Sequence, residues 1–272
     1  MEKTMMMKKR IGLLVGSALL MGSSVSALAN TAEFRTQIRV LSADACVLSV
    51  AAQGDTAWAL NWEEQDRTAG TSTLTVKEGE LGEPLLVRVK LTDASGASCS
   101  LNGIKLGATA ATTATATGLF KAAVGEGFWE YMPTLTKLET FSTVAGAEAG
   151  TAAAKLPANT VKAKYAAGEH VISETAQHNA NTEVTVEGTT QRFLALTHNY
   201  VNATGITPFN LGGQAQAVTL ESTAAEPVKS ALIGVGALVA KNPVNAEGQA
   251  DFALLDTVEN VNLPFTVTVE LP

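Results

Sequence analysis

Few residues in this chain have the type and spacing that chemistry requires. Two cysteines, Cys46 and Cys99, can be oxidised to a disulfide or remain thiols. Three histidines, His170, His178 and His198, supply the imidazoles. None belongs to an H-E-x-x-H motif or an i, i+4 pair, and no Cys/His spacing resembles a zinc site, so no metal is expected. No G-x-S-x-G motif and no P-loop follows residue 29. Gly125-Glu126-Gly127 is a bare G-x-G and reads as a loop. The carboxylates are scattered, and no acid/base pair can be placed in a cleft. The expectation is a protein without catalytic residues or a cofactor.

Aromatic side chains are the remaining candidates for binding. Trp58 and Trp62 alternate on one strand face and read as core. Trp129 and Tyr131 lie in the most aromatic stretch, Phe128 to Tyr131, between two tracts of small residues. They are the candidates for an exposed receptor contact, with burial in the core as the alternative.

The elements that must position these residues begin with a leader. Lys3, Lys8, Lys9 and Arg10 precede an apolar run from Ile11 to about Met21, and Ala27-Leu28-Ala29 follows. This order is that of a cleaved signal peptide, residues 1–29. The apolar run is shorter than the roughly 20 residues a membrane span needs. Removal takes four of the 19 basic and one of the 26 acidic residues, so the net charge goes from −7 to −10. Such an acidic surface argues against phosphate-tracking nucleic-acid binding. Export to an oxidising compartment favours a bond between Cys46 and Cys99. By the chain-entropy argument the bond is worth up to roughly 4 kcal/mol. Two unpaired buried thiols are the alternative.

The rest of the chain reads as strands. The full sequence is 46% hydrophobic but only 5% aromatic, so the core is built from Ala, Val and Leu. Phe34, Thr36, Ile38 and Val40 alternate with Glu33, Arg35, Gln37 and Arg39, which predicts a strand with one buried face. Further strands are expected at Cys46–Val50, Thr56–Trp62, around Leu74 and Val76, at Leu85–Leu91, and across Asn102-Gly103 as a hairpin from Cys99 to Leu106. Ala108–Gly118 and Ala145–Lys155 are low in bulky side chains and read as loops or weak helical turns. Strands resume at Val161–Tyr165, Val184–Val186, Phe193–Leu196, Ala217–Leu220, Ser230–Ala240 and Phe252–Leu255. Gly234 and Gly236 suggest a bulge or a close backbone approach. The final strand alternates Phe265, Val267, Val269 and Leu271 with Thr266, Thr268 and Glu270. Many short strands between turns indicate an all-β sandwich or barrel. Strands at both extremities need partners. They can pair with each other, or the first can complete the sheet of another subunit by β-strand addition.

Taken in order, these residues resemble the pilins of chaperone–usher fimbriae. The resemblance rests on the alternating segment after the leader, on VLSADACVLSV, on VRVKLTDASGASC and on PFTVTVELP. It covers roughly residues 30–106 and 250–272. It implies an immunoglobulin-like sandwich that lacks its last strand and is completed by a donor strand, with a loop and short-helix expansion at about 107–215 of the pilin domain 42–272. Residues 30–41 become the donor-strand extension, carried by Phe34, Thr36, Ile38 and Val40. Phe265, Val267, Val269 and Leu271 become the groove edge and chaperone contact. Cys46 and Cys99 become the disulfide that ties the first strand to the sheet. The implied function is a structural subunit of a bacterial surface fimbria that supports adhesion to host cells. Its partners would be identical or related pilins, a periplasmic chaperone, an outer-membrane usher and a host-surface receptor. The alternatives are a tip adhesin binding a host receptor or glycan, and a secreted non-fimbrial all-β surface protein.

Overall fold

The computed structural model describes residues 30–41, 46–53, 57–62, 82–92, 98–112, 115, 117–149, 152–165, 168–176, 183–185, 192–197, 200–202, 218–258 and 260–270. The leader, the strand expected around Leu74 and Val76, His178, His198 and Leu271 lie outside these residues.

The fold is all-β, and the described residues form two sheets. The first sheet holds β1 (Asn30–Leu41), β3 (Ala57–Trp62), β5 (Ile104–Thr109), β8 (Val161–Tyr165), β9 (Gly168–Ala176), β12 (Tyr200–Asn202), β13 (Val218–Ser222), β15 (Asn260–Asn262) and β16 (Phe265–Glu270). The second holds β2 (Leu48–Gln53), β4 (Leu85–Leu91), β6 (Phe120–Val124), β7 (Gly127–Phe141), β10 (Glu183–Thr185), β11 (Arg192–Ala195) and β14 (Ser230–Ala240).

Strand β14 is the spine of the second sheet. Its sequence, SALIGVGALVA, is a nearly continuous apolar run, and such runs form strands covered on both faces. All eleven of its residues are buried. It pairs with β7 along one side, and with β4 and then β11 along the other. The two glycines behave as their placement in the run suggests. The register against β7 shifts between Gly234 and Val235. A methyl group on Gly236 would sit 2.1 Å from the Thr197 hydroxyl oxygen, so only hydrogen fits there. β4 shows the opposite pattern: Leu85, Val87, Val89 and Leu91 are buried, and Arg88 and Lys90 are half-exposed.

Three expectations need correction. Phe252–Leu255 is part of a 3-10 helix, Phe252–Thr257, not a strand. The Asp251 carboxylate caps it by accepting from the Ala253 N–H at 3.0 Å, a local bond that competes with a ladder. Asn102-Gly103 turns the chain, with Gly103 at φ 86°, but closes no hairpin. Instead β5 pairs with β13 and β16. The Asn102 amide bonds both backbone groups of Ser222, donating to its carbonyl and accepting from its N–H. Finally, the region at 107–215 is built into the body of the fold. It contains β6 to β12, strands of both sheets. Its Ala/Gly-rich tract does form short turns, α1 (Gly146–Ala149) and a 3-10 turn at Ala152–Ala154. α1 packs on Phe141 and Leu232, covering one end of the outer face of the second sheet.

Candidate functional site

The two alternating segments at the extremities meet. β1 runs parallel to β15 and β16 in one unbroken register: Thr31 faces Asn260, Thr36 faces Phe265, and Leu41 faces Glu270. Every other pairing between named strands is antiparallel among the described residues. Pairing within one chain, the simpler of the two arrangements open to these strands, is the one observed.

β1 is built in two halves. In its first half β3 lies along Asn30–Arg35 on one side, where Phe34 faces Trp58 and Arg35 faces Ala57, and β15 pairs with Thr31–Glu33 on the other. Its second half, Thr36–Leu41, has β16 on one side and no strand on the other among the described residues. The alternation explains which side chains turn inward. Thr36 is buried, Ile38 is half-buried against the core, and Arg35 and Gln37 are exposed. Phe34 and Val40 occupy the register positions opposite Trp58 and Val269.

The row expected to form a groove edge is interior. Phe265, Val267 and Val269 are at most 2% exposed and belong to the main core, and β16 itself lies between β1 and β5. Between β15 and β16 the chain passes through Leu263-Pro264, where proline can donate no backbone hydrogen bond. The Pro264 carbonyl accepts from the Tyr131 hydroxyl of the other sheet at 2.8 Å.

Tyr131 and Trp129 therefore are not surface contacts, and their assignment to an exposed receptor site is corrected. Trp129 is 0% exposed and Tyr131 is 2% exposed. The Trp129 indole donates to the Ala240 carbonyl at 2.7 Å. Burial pushes the Tyr131 phenol well above its ordinary range. Both residues ride on β7, which is paired with β6 and β14 and so turns one face into the sandwich. The small-residue tracts around them looked flexible, but β6 begins only two residues after Gly118.

Glu130, between the two aromatics, points the other way. It faces Lys121 across the β6–β7 hairpin, with Nζ 3.9 Å from Oε1. The same Nζ lies 3.8 Å from the Phe128 ring centre. Burial pushes the Glu130 carboxyl up, and Lys121 pulls it partly back. A carboxyl raised in the folded state contributes stability at acid pH and loses it as pH rises through the folded pKa. Glu130→Gln should therefore stabilise the protein at pH 7, by on the order of 0.5 kcal/mol. The gain should shrink as pH falls toward the unfolded-state value of about 4.3. Urea melts of both proteins across that range check this.

Cys46 and Cys99 form a disulfide with a Cα–Cα distance of 5.8 Å. Cys46 precedes β2 and Cys99 precedes β5, so the bond pins the chain soon after β1 ends. The pin is reinforced by the Thr92 N–H donating to the Val47 carbonyl, and by Lys229 donating to the Cys99 carbonyl. Gly125-Glu126 is the turn of the β6–β7 hairpin, with Gly125 at φ 54°. His170 lies on β9 opposite Ala163. Among the described residues no three His, Cys, Asp or Glu side chains form a group able to hold a metal ion. A cavity lined by Leu101, Thr140, Val161 and Leu220 measures about 10 Å³, room for one water and no organic ligand.

Comparison with family models, with curated proteins and with solved structures returned no match.

Proposed function

We propose that this chain is a structural subunit of a bacterial surface fimbria that polymerises by exchange of β1 between copies. The observation that carries the proposal is the parallel seat of β1 beside the final strand. In the isolated subunit β1 fills that seat itself. In the fibre the β1 of a neighbour fills it. The sandwich is then of the immunoglobulin-like kind that lacks its own last strand, and β1 supplies the replacement.

The physics of assembly follows. A contact in which one copy's β1 enters the next copy's sheet is heterologous and does not close, so it builds an open filament. Backbone bonds to β16 supply affinity, and alternate side chains at Thr36 and Ile38 supply register. A subunit whose β1 has left presents an unpaired strand edge above an apolar row, an aggregation hazard. This is the reason for a periplasmic chaperone that covers β16 during export and an outer-membrane usher where the chaperone is replaced. Host adhesion is then a property of the assembled surface.

The test is the polymer itself. Cell-surface preparations should give SDS-resistant ladders that collapse to monomer on heating. Ile38→Asp places a charge on the core-facing side of β1 and should reduce the ladder at least about tenfold. Wild-type protein that stays monomeric in surface preparations, or ladders unaffected by Ile38→Asp, would overturn the proposal.

A further inference from the structure

The two halves of β1 differ in a way that bears on how it leaves its seat. We infer that β3 is a latch: its pairing with Asn30–Arg35 sets the rate at which β1 departs and another β1 enters. This inference rests on the strand-exchange reading and adds the control of that exchange.

A strand with a partner on each side must break two ladders to open, and one with a single partner must break one. Thr31–Glu33 is in the first condition, between β15 and β3, and β3 extends its grip over Asn30–Arg35. Thr36–Leu41 is in the second among the described residues. The boundary has a topological cause. β2 belongs to the second sheet and ends at Gln53, and β3 starts at Ala57, which pairs with Arg35. Among the described residues β3 therefore does not run beside Thr36–Leu41.

The singly paired half does not provide an easy exit either. Beyond Leu41 the chain soon reaches Cys46, held by its bond to Cys99. The end of β1 near the disulfide is tethered, and the end remote from it is the one β3 grips. Fraying must begin at the remote end, and β3 is what it must first displace. The residues of β3 fit a grip that can be released: Ala57-Trp58-Ala59-Leu60-Asn61-Trp62 carries no charge, so no ion pair fixes it to β1.

The experiment follows uptake of a fluorescent peptide with the sequence of residues 30–41 by the purified full chain. Ala59→Pro, opposite Glu33, fixes the backbone and removes an N–H donor within β3 and so weakens its ladder. Uptake should be about tenfold faster in the variant than in wild type, as expected for the loss of one or two backbone hydrogen bonds. Equal rates overturn the latch while leaving exchange standing. No uptake by either protein overturns the exchange reading instead. Hydrogen exchange on the wild-type protein needs no variant and decides the latch separately. The amides of Thr31–Glu33, paired on both sides, should be protected beyond those of Thr36–Leu41, and equal protection would dispose of it.

Discussion

A chain lacking residues 30–41 should lose its cooperative unfolding transition and regain it when a peptide of that sequence is added. β1 contributes a buried Thr36, a half-buried Ile38 and a run of backbone bonds to β15, β16 and β3. Its removal opens one side of β16 and brings water to the row Phe265, Val267 and Val269. Each such side chain is worth roughly 1.5–3 kcal/mol when fully buried, and partial uncovering of three of them approaches the 5–15 kcal/mol of a typical domain. The shortened protein should therefore be soluble only with a strand in that place. Circular dichroism and thermal melts with and without the peptide read the outcome. A sharp transition of unchanged midpoint without peptide would make β1 an appendage of an already complete fold. The peptide arm separates a missing strand, which it cures, from general damage, which it does not.

Replacing Trp129 by alanine should be nearly as costly. Its side chain is fully enclosed, and its indole N–H is spent on the Ala240 carbonyl, the last residue of β14. Truncation of a buried tryptophan costs about 3–5 kcal/mol through lost transfer energy and the cavity left behind. The Ala240 carbonyl loses its side-chain donor at the same time. Urea denaturation of Trp129→Ala should show the midpoint fall with the slope unchanged. Trp129→Phe should lie between the two, because it refills most of the volume but not the hydrogen bond. A variant as stable as wild type would mean that the tryptophan is not part of the core.

The contrast between β1 and β7 shows what the sequence made legible. Alternation in β1, β4 and β16 read directly as strands, because each sets apolar residues on one face and mostly polar residues on the other. The apolar run of β14 read as a strand as well, and its glycines marked the bulge. β7 hid. Pro133, Thr134, Leu135 and Thr136 are consecutive and all buried, since both faces of the second sheet are covered there. Alternation vanishes under those conditions, and the threonines and neighbouring Ala-rich tracts resemble a loop. The burial of Trp129 and Tyr131 was lost with it. The partners of the end strands were not legible either. Alternation in β1 says that one face is buried, but hydrogen bonding in the plane of the sheet leaves no mark on that pattern. Asn102 is a similar case: its amide serves Ser222, more than a hundred residues later, and nothing local distinguishes that use from a turn.

The parallel register also gives the chain a direction. Because β1 and β16 run the same way, Asn30 and Glu270 stand at opposite ends of the paired strands. Twelve residues of β1 at about 3.3 Å each separate those ends by about 40 Å. A label grafted ahead of Asn30 and another grafted after Glu270 would emerge on opposite sides of the molecule. Circular permutation through those two points would need a linker that spans this length. An antiparallel pairing would have brought both ends to one side and left the fold with no built-in front and back.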